Sequence, residues 1–243
     1  IEAGLLATDE SIIAVDREGV VRAFDPRTGE VIWDVLLADQ VGGIATPIQL
    51  GGDVLAVAEN GHMARLGLEA GTLRWERSLG VPVHVTPVTN QEEVYLSTTR
   101  GEVIALEARS GATLWTHVVP DSTVRITSPA YDEARSQLYV GGSDRQVRAL
   151  DSVTDEPVWE TTVDGVATTA PVLAGHTLYV GTLRGHLNAL DAQTGEPLWE
   201  TFIEGRVKSA PIVHQNTLLV LFETQQLAAF TPVPAEAPVA SAN

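Results

Sequence analysis

Residues Gly185 to Trp199 read GHLNALDAQTGEPLW and contain the pattern that decides the fold. The stretch begins with alternating side chains at the period of a β-strand. Thr194 and Gly195 then supply a tight turn, because glycine adopts positive φ without a Cβ clash. Pro197 and Trp199 belong to the returning strand, whose first residue is a position that proline tolerates. The stretch therefore predicts a β-hairpin with a tryptophan on its second strand.

This spacing of alanine, acid, turn and tryptophan recurs along the chain. The tryptophans that end the five copies are separated by 42, 40, 44 and 40 residues, and they are Trp33, Trp75, Trp115, Trp159 and Trp199. The copy that ends at Trp75 is degenerate, because Gly67 and Ala70 replace its aspartate and threonine. A period near 40 residues, with four short strands in each unit, predicts the blades of a β-propeller.

The repeated motif resembles the tryptophan-docking motif of the quinoprotein (PQQ-like) repeat family, and the resemblance covers nearly the whole chain. In that family the tryptophan of one blade packs on a turn of a neighbouring blade. The resemblance therefore implies a structural docking role and burial for the five tryptophans, with Trp75 docking more weakly because its turn is degenerate. It does not imply that they bind a quinone, and no cofactor is expected.

Each unit is predicted to open with an inner strand. In the first unit this strand runs from Ala3 to Ala7, and Ser11 to Val15, Val20 to Phe24 and Val31 to Leu36 follow it. Later units open with a tag that ends in proline, which is tolerated because an inner strand leaves N–H groups unpaired. The tags are Thr46-Pro47, Thr86-Pro87, Ser128-Pro129, Ala170-Pro171 and Ala210-Pro211.

The sixth unit is predicted to be incomplete, because no strand with a tryptophan follows Gln226 to Phe230. Residues 1–231 are predicted to form the propeller, and the proline- and alanine-rich residues 232–243 a tail or linker. The fold class is thus an all-β propeller of antiparallel blades, five complete with four strands and a sixth with three. Six blades are favoured, and seven or eight remain open if blades lie upstream. Strands from Ala210 to Phe230 are expected beside the first blade, with their outer position empty or filled from outside residues 1–243.

The chain's ending after a third strand resembles the propeller lipoprotein of the outer-membrane β-barrel assembly machinery, whose N-terminal strand closes its last blade. This resemblance implies protein partners in a larger complex and a periplasmic or other extracytoplasmic location, with any membrane anchor in residues outside this chain. The exposed edge of Gln226 to Phe230 would also be a place for a partner to add a strand.

Composition excludes several classes of function. The net charge of −17 argues against a general nucleic-acid binder, which needs clustered lysine and arginine to contact phosphates. The absence of cysteine excludes disulfides, thiolate metal sites and cysteine nucleophiles. No run reaches the roughly 18 apolar residues of a membrane span.

No catalytic constellation is evident in the sequence. Asp25, Asp151 and Asp191 recur at one position of the repeat, which favours hydrogen bonding within turns over catalysis. His62 and His186 both follow glycine in equivalent turns, and two histidines at one face are one possible basis for a metal site. Because no third ligand is evident and the units lie apart, exposed turn residues with no metal are the preferred interpretation.

Charge is distributed unevenly between the two faces that the blade topology predicts. One face carries seven lysine and arginine residues against ten acids, and the other three against sixteen. Either arginine is simply tolerated in these turns, or the cations near the inner strands receive an acidic segment of a partner. In the second interpretation, the candidate partner-binding residues are His84, Arg125, Arg206 and Lys208.

The favoured interpretation is a non-catalytic protein-interaction scaffold in an extracytoplasmic assembly. An alternative is a ligand-sensing propeller of a larger membrane receptor, in which the tail would be a linker. A PQQ-dependent dehydrogenase is less favoured, because those enzymes resemble this chain in repeat but are longer and usually carry a vicinal cysteine pair that is absent here.

Overall fold

The computed structural model describes residues 4–16, 18–37, 45–121, 123–207, 209–215, 217–223 and 226–231. Within these ranges the regular elements are all β-strands, which form six antiparallel sheets in chain order. Five sheets have four strands and the sixth has three, which confirms the predicted propeller with five complete blades. The predicted tail, residues 232–243, lies outside the described residues.

Each sheet is a meander that runs from the inner to the outer edge of its blade. The strands of the first three blades are β1 (Leu6–Ala7), β2 (Ile12–Val15), β3 (Val20–Phe24), β4 (Val31–Leu36), β5 (Ile48–Leu50), β6 (Asp53–Val57), β7 (His62–Gly67), β8 (Leu73–Ser78), β9 (Val88–Thr89), β10 (Glu93–Ser97), β11 (Glu102–Glu107) and β12 (Thr113–Val118). Those of the last three are β13 (Ala130–Asp132), β14 (Gln137–Gly141), β15 (Gln146–Asp151), β16 (Pro157–Thr162), β17 (Val172–Ala174), β18 (Thr177–Gly181), β19 (His186–Asp191), β20 (Pro197–Phe202), β21 (Ile212–His214), β22 (Thr217–Phe222) and β23 (Gln226–Phe230).

The repeated sequence motif sets the register of the third and fourth strands of a blade. In the fifth blade Ala189 pairs with Trp199, and the register shifts between Ala189 and Leu190. The same pairing and shift occur in the other complete blades, although Arg65 takes the place of the alanine opposite Trp75. The irregularity is a β-bulge, which increases local twist and turns the outer strand towards the neighbouring blade.

The core consists of apolar layers between successive blades rather than one central cluster. Val21 and Trp33 of the first blade pack with Val54 and Leu66 of the second. At the other end of the array, Leu187 of the fifth blade packs with Val220 of the sixth. In the second to fifth blades such layers lie on both sides of the two middle strands, which are largely buried, and their apolar side chains exclude water.

Four of the five tryptophans bridge one blade to the next. Each indole Nε1–H donates to a backbone carbonyl in the following blade: Trp33 to Leu68 at 2.8 Å, and Trp75 to Ala108, Trp115 to Ser152 and Trp159 to Ala192 at 3.0 Å. The turn glycine lies directly against the ring, and a Cβ added at Gly195 would be 2.5 Å from the Trp159 indole. A larger residue there would displace the tryptophan.

Trp199 departs from the expected burial between blades. Its side chain is 40% exposed and stacks on Phe230 of the sixth blade, with 6.3 Å between the ring centroids. By the count of the repeat, the carbonyl that would accept its indole N–H belongs to residue 232, outside the described residues. Trp75, expected to dock more weakly, makes the same hydrogen bond as the others, because the acceptor is a backbone carbonyl and not the missing aspartate or threonine.

The outward face of the sixth blade is exposed. Leu227 occupies the register position that Leu187 holds in the fifth blade, yet Leu227 is 62% exposed and Leu187 is fully buried. Leu221, the cross-strand partner of Leu227, is 48% exposed. In the part of the chain that the structure describes, no hydrophobic cluster joins the last blade to the first. The expected packing of these two blades side by side is therefore not observed among those residues.

Within the described ranges, there is no helix with the length and apolar character of a membrane-crossing segment.

Candidate partner-binding surface

A cavity of about 350 Å³ opens where the inner strands of the third, fourth and fifth blades begin. Its walls are residues 84–85, 125–128 and 166–168 with Ala170, all from the segments that lead into inner strands. Thr98, Thr99 and Ser143 complete it from the turns that follow β10 and β14. Successive blades place equivalent short loops side by side at one face. Three blades can therefore form one cavity without a long loop inserted in any of them.

Arg125 is held at the rim by reciprocal hydrogen bonds with the neighbouring turn. Its backbone N–H donates to Ser143 Oγ at 2.9 Å, and the Ser143 N–H donates to the Arg125 carbonyl at 2.9 Å. The preceding turn is closed by Asp121, whose pKa is lowered because the hydroxyl and backbone N–H of Thr123 donate to its carboxylate. The backbone at Arg125 is thereby fixed while its side chain faces solvent.

His84 is the second basic side chain of the cavity wall. Its Nδ1 lies 3.0 Å from Oε1 of Glu59, a residue at the end of the second blade's β6 hairpin. The backbone beside it is anchored as well, since the Val83 N–H donates to the Glu59 carbonyl at 2.8 Å. His84 is therefore oriented by the preceding blade, whereas the Arg125 guanidinium forms no ion pair with the residues that the structure describes.

Hydroxyl groups line the inner wall of the cavity. The Thr168 hydroxyl donates to the Val207 carbonyl at 2.8 Å, and the Thr127 hydroxyl accepts the Gly141 N–H at 3.0 Å. The first bond joins the fifth blade to the sixth, and the second ties the segment before β13 to β14 within the fourth blade. Two further hydroxyls, of Ser97 and Thr169, are buried next to this wall and have no hydrogen-bond partner among the described residues.

The four predicted partner-binding residues are thus only partly brought together. His84 and Arg125 line one cavity. Arg206 lies at the start of the sixth blade, outside that cavity, and its Nε is 3.4 Å from Oε2 of Glu223. Lys208 lies outside the described residues. Sequence reasoning found the two cations but missed the hydroxyl and apolar wall, because its members are unremarkable residues that only the stacking of blades places together.

The combination of side chains suits recognition of a short acidic segment. One free guanidinium and one imidazole can bind carboxylates, and guanidinium binds them in a two-pronged geometry. Val85, Ile126 and Val166 provide apolar contact beside these groups. A cavity with an apolar wall and a few polar groups at fixed positions is typical of a recognition site.

The repeated aspartates are turn residues, as predicted. Asp25 accepts the N–H groups of Arg27 and Thr28, and Asp151 and Asp191 accept the equivalent pairs at two and three residues further on. These hydrogen bonds from the backbone lower the pKa of each carboxyl. The carboxylates therefore stabilise the turns on which the tryptophans pack.

The two histidines differ from the expected exposed turn residues. His62 and His186 begin β7 and β19, and about four fifths of each side chain is covered. His62 Nε2 lies 3.9 Å from Glu76, whereas His186 contacts both Glu200 and Asp164. The structure does not bring His62 and His186 together, and the carboxylate of Asp164 beside His186 comes from the preceding blade, which no local spacing could indicate.

Comparison with known proteins gives a consistent result. The sequence model of a family described as "Outer membrane protein assembly factor BamB" matches residues 17–165 and 143–235. The chain is similar to the curated protein of that name from Moranella endobia, at 32% identity over 119 residues, covering 45% of this chain and 30% of the relative. The Shewanella oneidensis protein is 29% identical over 162 residues, and the match covers 61% of this chain and 41% of that relative. These matches span less than half the length of either relative.

A solved structure shares the fold. The crystal structure of BamB from Moraxella catarrhalis superposes with a TM-score of 0.78 at 22% sequence identity, covering 95% of this chain and 69% of that chain.

Proposed function

The chain belongs to the PQQ-like repeat family described as outer membrane protein assembly factor BamB, and from this membership we propose that it is a non-catalytic protein-interaction scaffold in the assembly of outer membrane proteins. The curated relatives carry the same description. The location that fits this role is the periplasm. The family match does not favour the receptor-sensor or dehydrogenase interpretations.

The observation that carries the proposal is the cavity lined by His84 and Arg125. Its backbone is fixed by hydrogen bonds from adjacent blades, so the surface is formed before a partner arrives. Preorganisation of this kind reduces the entropy lost on binding. We assign this cavity the binding of an acidic segment of a protein partner, with Arg125 as the principal anchor because its guanidinium is not engaged by a described carboxylate.

The edge of the sixth blade is proposed as a second contact. Among the described residues β23 is the outer strand of its sheet, so its outward backbone groups are a template for strand addition. We propose that a partner pairs with Gln226–Phe230 there. Residues 232–243 are proposed to act as a tail or linker.

Charge reversal at Arg125 tests the main contact. Arg125→Glu should weaken co-purification of an outer membrane assembly partner from a gently solubilised envelope by about tenfold or more, since a salt-bridged contact becomes repulsive. Arg109→Glu, the same change at an exposed turn on the opposite face, is the matched control and should bind as the wild type does. Equal partner recovery with both variants, at unchanged melting temperature, would contradict the assigned cavity. Purification of the wild type without any partner would contradict the scaffold itself.

A further inference from the structure

We propose that Asp164, His186 and Glu200 form a binding site for a divalent transition-metal ion, with Zn²⁺ as the best match. The site lies at the junction of the fourth and fifth blades. His186 begins β19, Glu200 lies on the adjacent β20, and Asp164 follows the outer strand of the fourth blade. It is separate from the proposed partner-binding cavity, and no residue is shared between the two.

The three side chains converge on one small volume. Each supplies one ligand atom, and these three atoms all lie within 4.8 Å of one another. His186 Nδ1 contacts Oε1 of Glu200, and its Nε2 lies 3.5 Å from Oδ2 of Asp164. An ion can bind only one ring nitrogen, so one carboxylate would have to swing to the side of the nitrogen that the other contacts. The bonds to the ion would then be about 2.0–2.2 Å, the lengths of Zn–N and Zn–O bonds.

The donor set selects the type of ion. One imidazole with two carboxylates matches the preference of Zn²⁺ and related first-row ions, whereas Ca²⁺ and Mg²⁺ prefer sites made of oxygen alone. Three protein ligands leave a fourth position to water. The two carboxylates also offset the charge of a divalent ion, which lowers the cost of bringing it to the half-buried imidazole.

The backbone around these ligands is fixed by one buried hydroxyl. Thr182 Oγ1 donates to the Asp164 carbonyl at 3.0 Å and accepts the His186 N–H at 3.2 Å. The edge of the imidazole also packs against Phe202, with ring centroids 5.4 Å apart. Thr182 thus ties together the backbones of two proposed ligands that come from different blades.

Arg184 is the one feature that opposes a cation. Its guanidinium lies 3.3 Å from Oδ1 of Asp164, but its side chain is 68% exposed and can turn to solvent. Because Arg184 competes for a metal ligand, its removal should strengthen metal binding. A purely structural ion-pair cluster would instead be weakened by the same change.

The second blade supplies a matched comparison. His62 and Glu76 occupy the repeat positions of His186 and Glu200, but the position of Asp164 is Ala38 in the sequence. His62 Nε2 and Glu76 Oε2 are 3.9 Å apart. Among the described residues no third carboxylate is grouped with this pair, so it should bind the ion more weakly than the site in the fifth blade.

Calorimetric titration of chelator-treated protein with Zn²⁺ tests the proposal. The wild type should bind one equivalent, and His186→Ala and Glu200→Gln should each lower affinity by about tenfold or more. His62→Ala should bind as the wild type does, and Arg184→Ala should bind more tightly. A melting curve for each variant separates loss of metal binding from loss of folding. Glu200→Gln keeps the size of the exposed side chain and removes its charge, so it should leave the fold intact.

Two outcomes would overturn the site. One is a wild type that binds no Zn²⁺ in the titration. The other is unchanged affinity in both His186→Ala and Glu200→Gln, which would place any bound ion elsewhere on this acidic chain.

Discussion

At the scale of single residues, the tryptophan motif predicts the contact between neighbouring blades but not how fully each tryptophan makes it. Four indoles donate to carbonyls of the next blade, and the degenerate turn at Trp75 does not alter that contact. Sequence reasoning ranked Trp75 low because it weighed side chains of the turn, whereas the acceptor is backbone. The motif predicts burial for Trp199 as for the others, but its neighbour is the incomplete sixth blade and its side chain is 40% exposed.

Removal of Trp33 should be far more damaging than removal of Trp199. Trp33 is 8% exposed, whereas Trp199 is 40% exposed. Trp33→Ala should therefore lower the free energy of unfolding by about 3–5 kcal/mol, and Trp199→Ala should lower it by less than half as much. Urea unfolding of both variants measures this difference. Similar losses in the two would mean that Trp199 docks as firmly as Trp33.

The turn aspartates should make stability depend on acid pH. The pKa of Asp25, Asp151 and Asp191 is lowered in the folded chain, chiefly by backbone hydrogen bonds. Their contribution is therefore present at neutral pH and is lost as the pH falls through their folded pKa, below the usual value of about 4. Combined Asp25→Asn, Asp151→Asn and Asp191→Asn should flatten the fall in melting temperature between about pH 5 and pH 2. An equally steep fall in the triple variant would assign acid sensitivity to other carboxylates.

At the scale of elements, strands were predictable and their packing partners were not. Val31–Leu36 and Val20–Phe24 have the bounds that the alternation of side chains predicted. Strand period is a local property, so it can be read from a few residues. The first inner strand, predicted from Ala3 to Ala7, pairs with its neighbour only at Leu6 and Ala7, and Ala3 itself lies outside the described residues.

The exposed face of the last blade shows the limit of the repeat pattern. Leu187 and Leu227 occupy equivalent register positions, yet only Leu187 is buried. Whether a strand face is buried depends on the presence of a neighbouring blade, which the strand itself does not encode. The cluster of Asp164, His186 and Glu200 escaped notice for the same reason, since its members come from two blades.

A matched pair of substitutions tests this difference in burial. Leu187→Asp should lower stability by several kcal/mol or prevent folding, because it places a carboxylate in an apolar layer. Leu227→Asp should change stability by about 0.5 kcal/mol or less, as exposed substitutions usually do. Urea unfolding curves of the two variants provide the comparison. If Leu227→Asp is as destabilising as Leu187→Asp, the outward face of the sixth blade is covered in solution.

At the scale of the whole molecule, the proposed partner-binding cavity is built from loops at one face of the propeller. The blades are rigid layers of apolar side chains, and the loops at one face form the cavity of His84 and Arg125. The chain is strongly acidic, and the exposed Arg125 at the cavity attracts an acidic partner segment to that place. The net charge repels such a partner elsewhere, which favours a single orientation of binding.

The central claim is that this cavity contacts a component of the outer membrane protein assembly machinery, and site-specific photo-crosslinking in the envelope tests it most directly. A photoreactive residue placed at 125 should form a crosslink to such a component, identified by mass spectrometry, and the same residue placed at 109 on the opposite face should not. Crosslinking at 109 but not at 125, or at neither position, would contradict the claim.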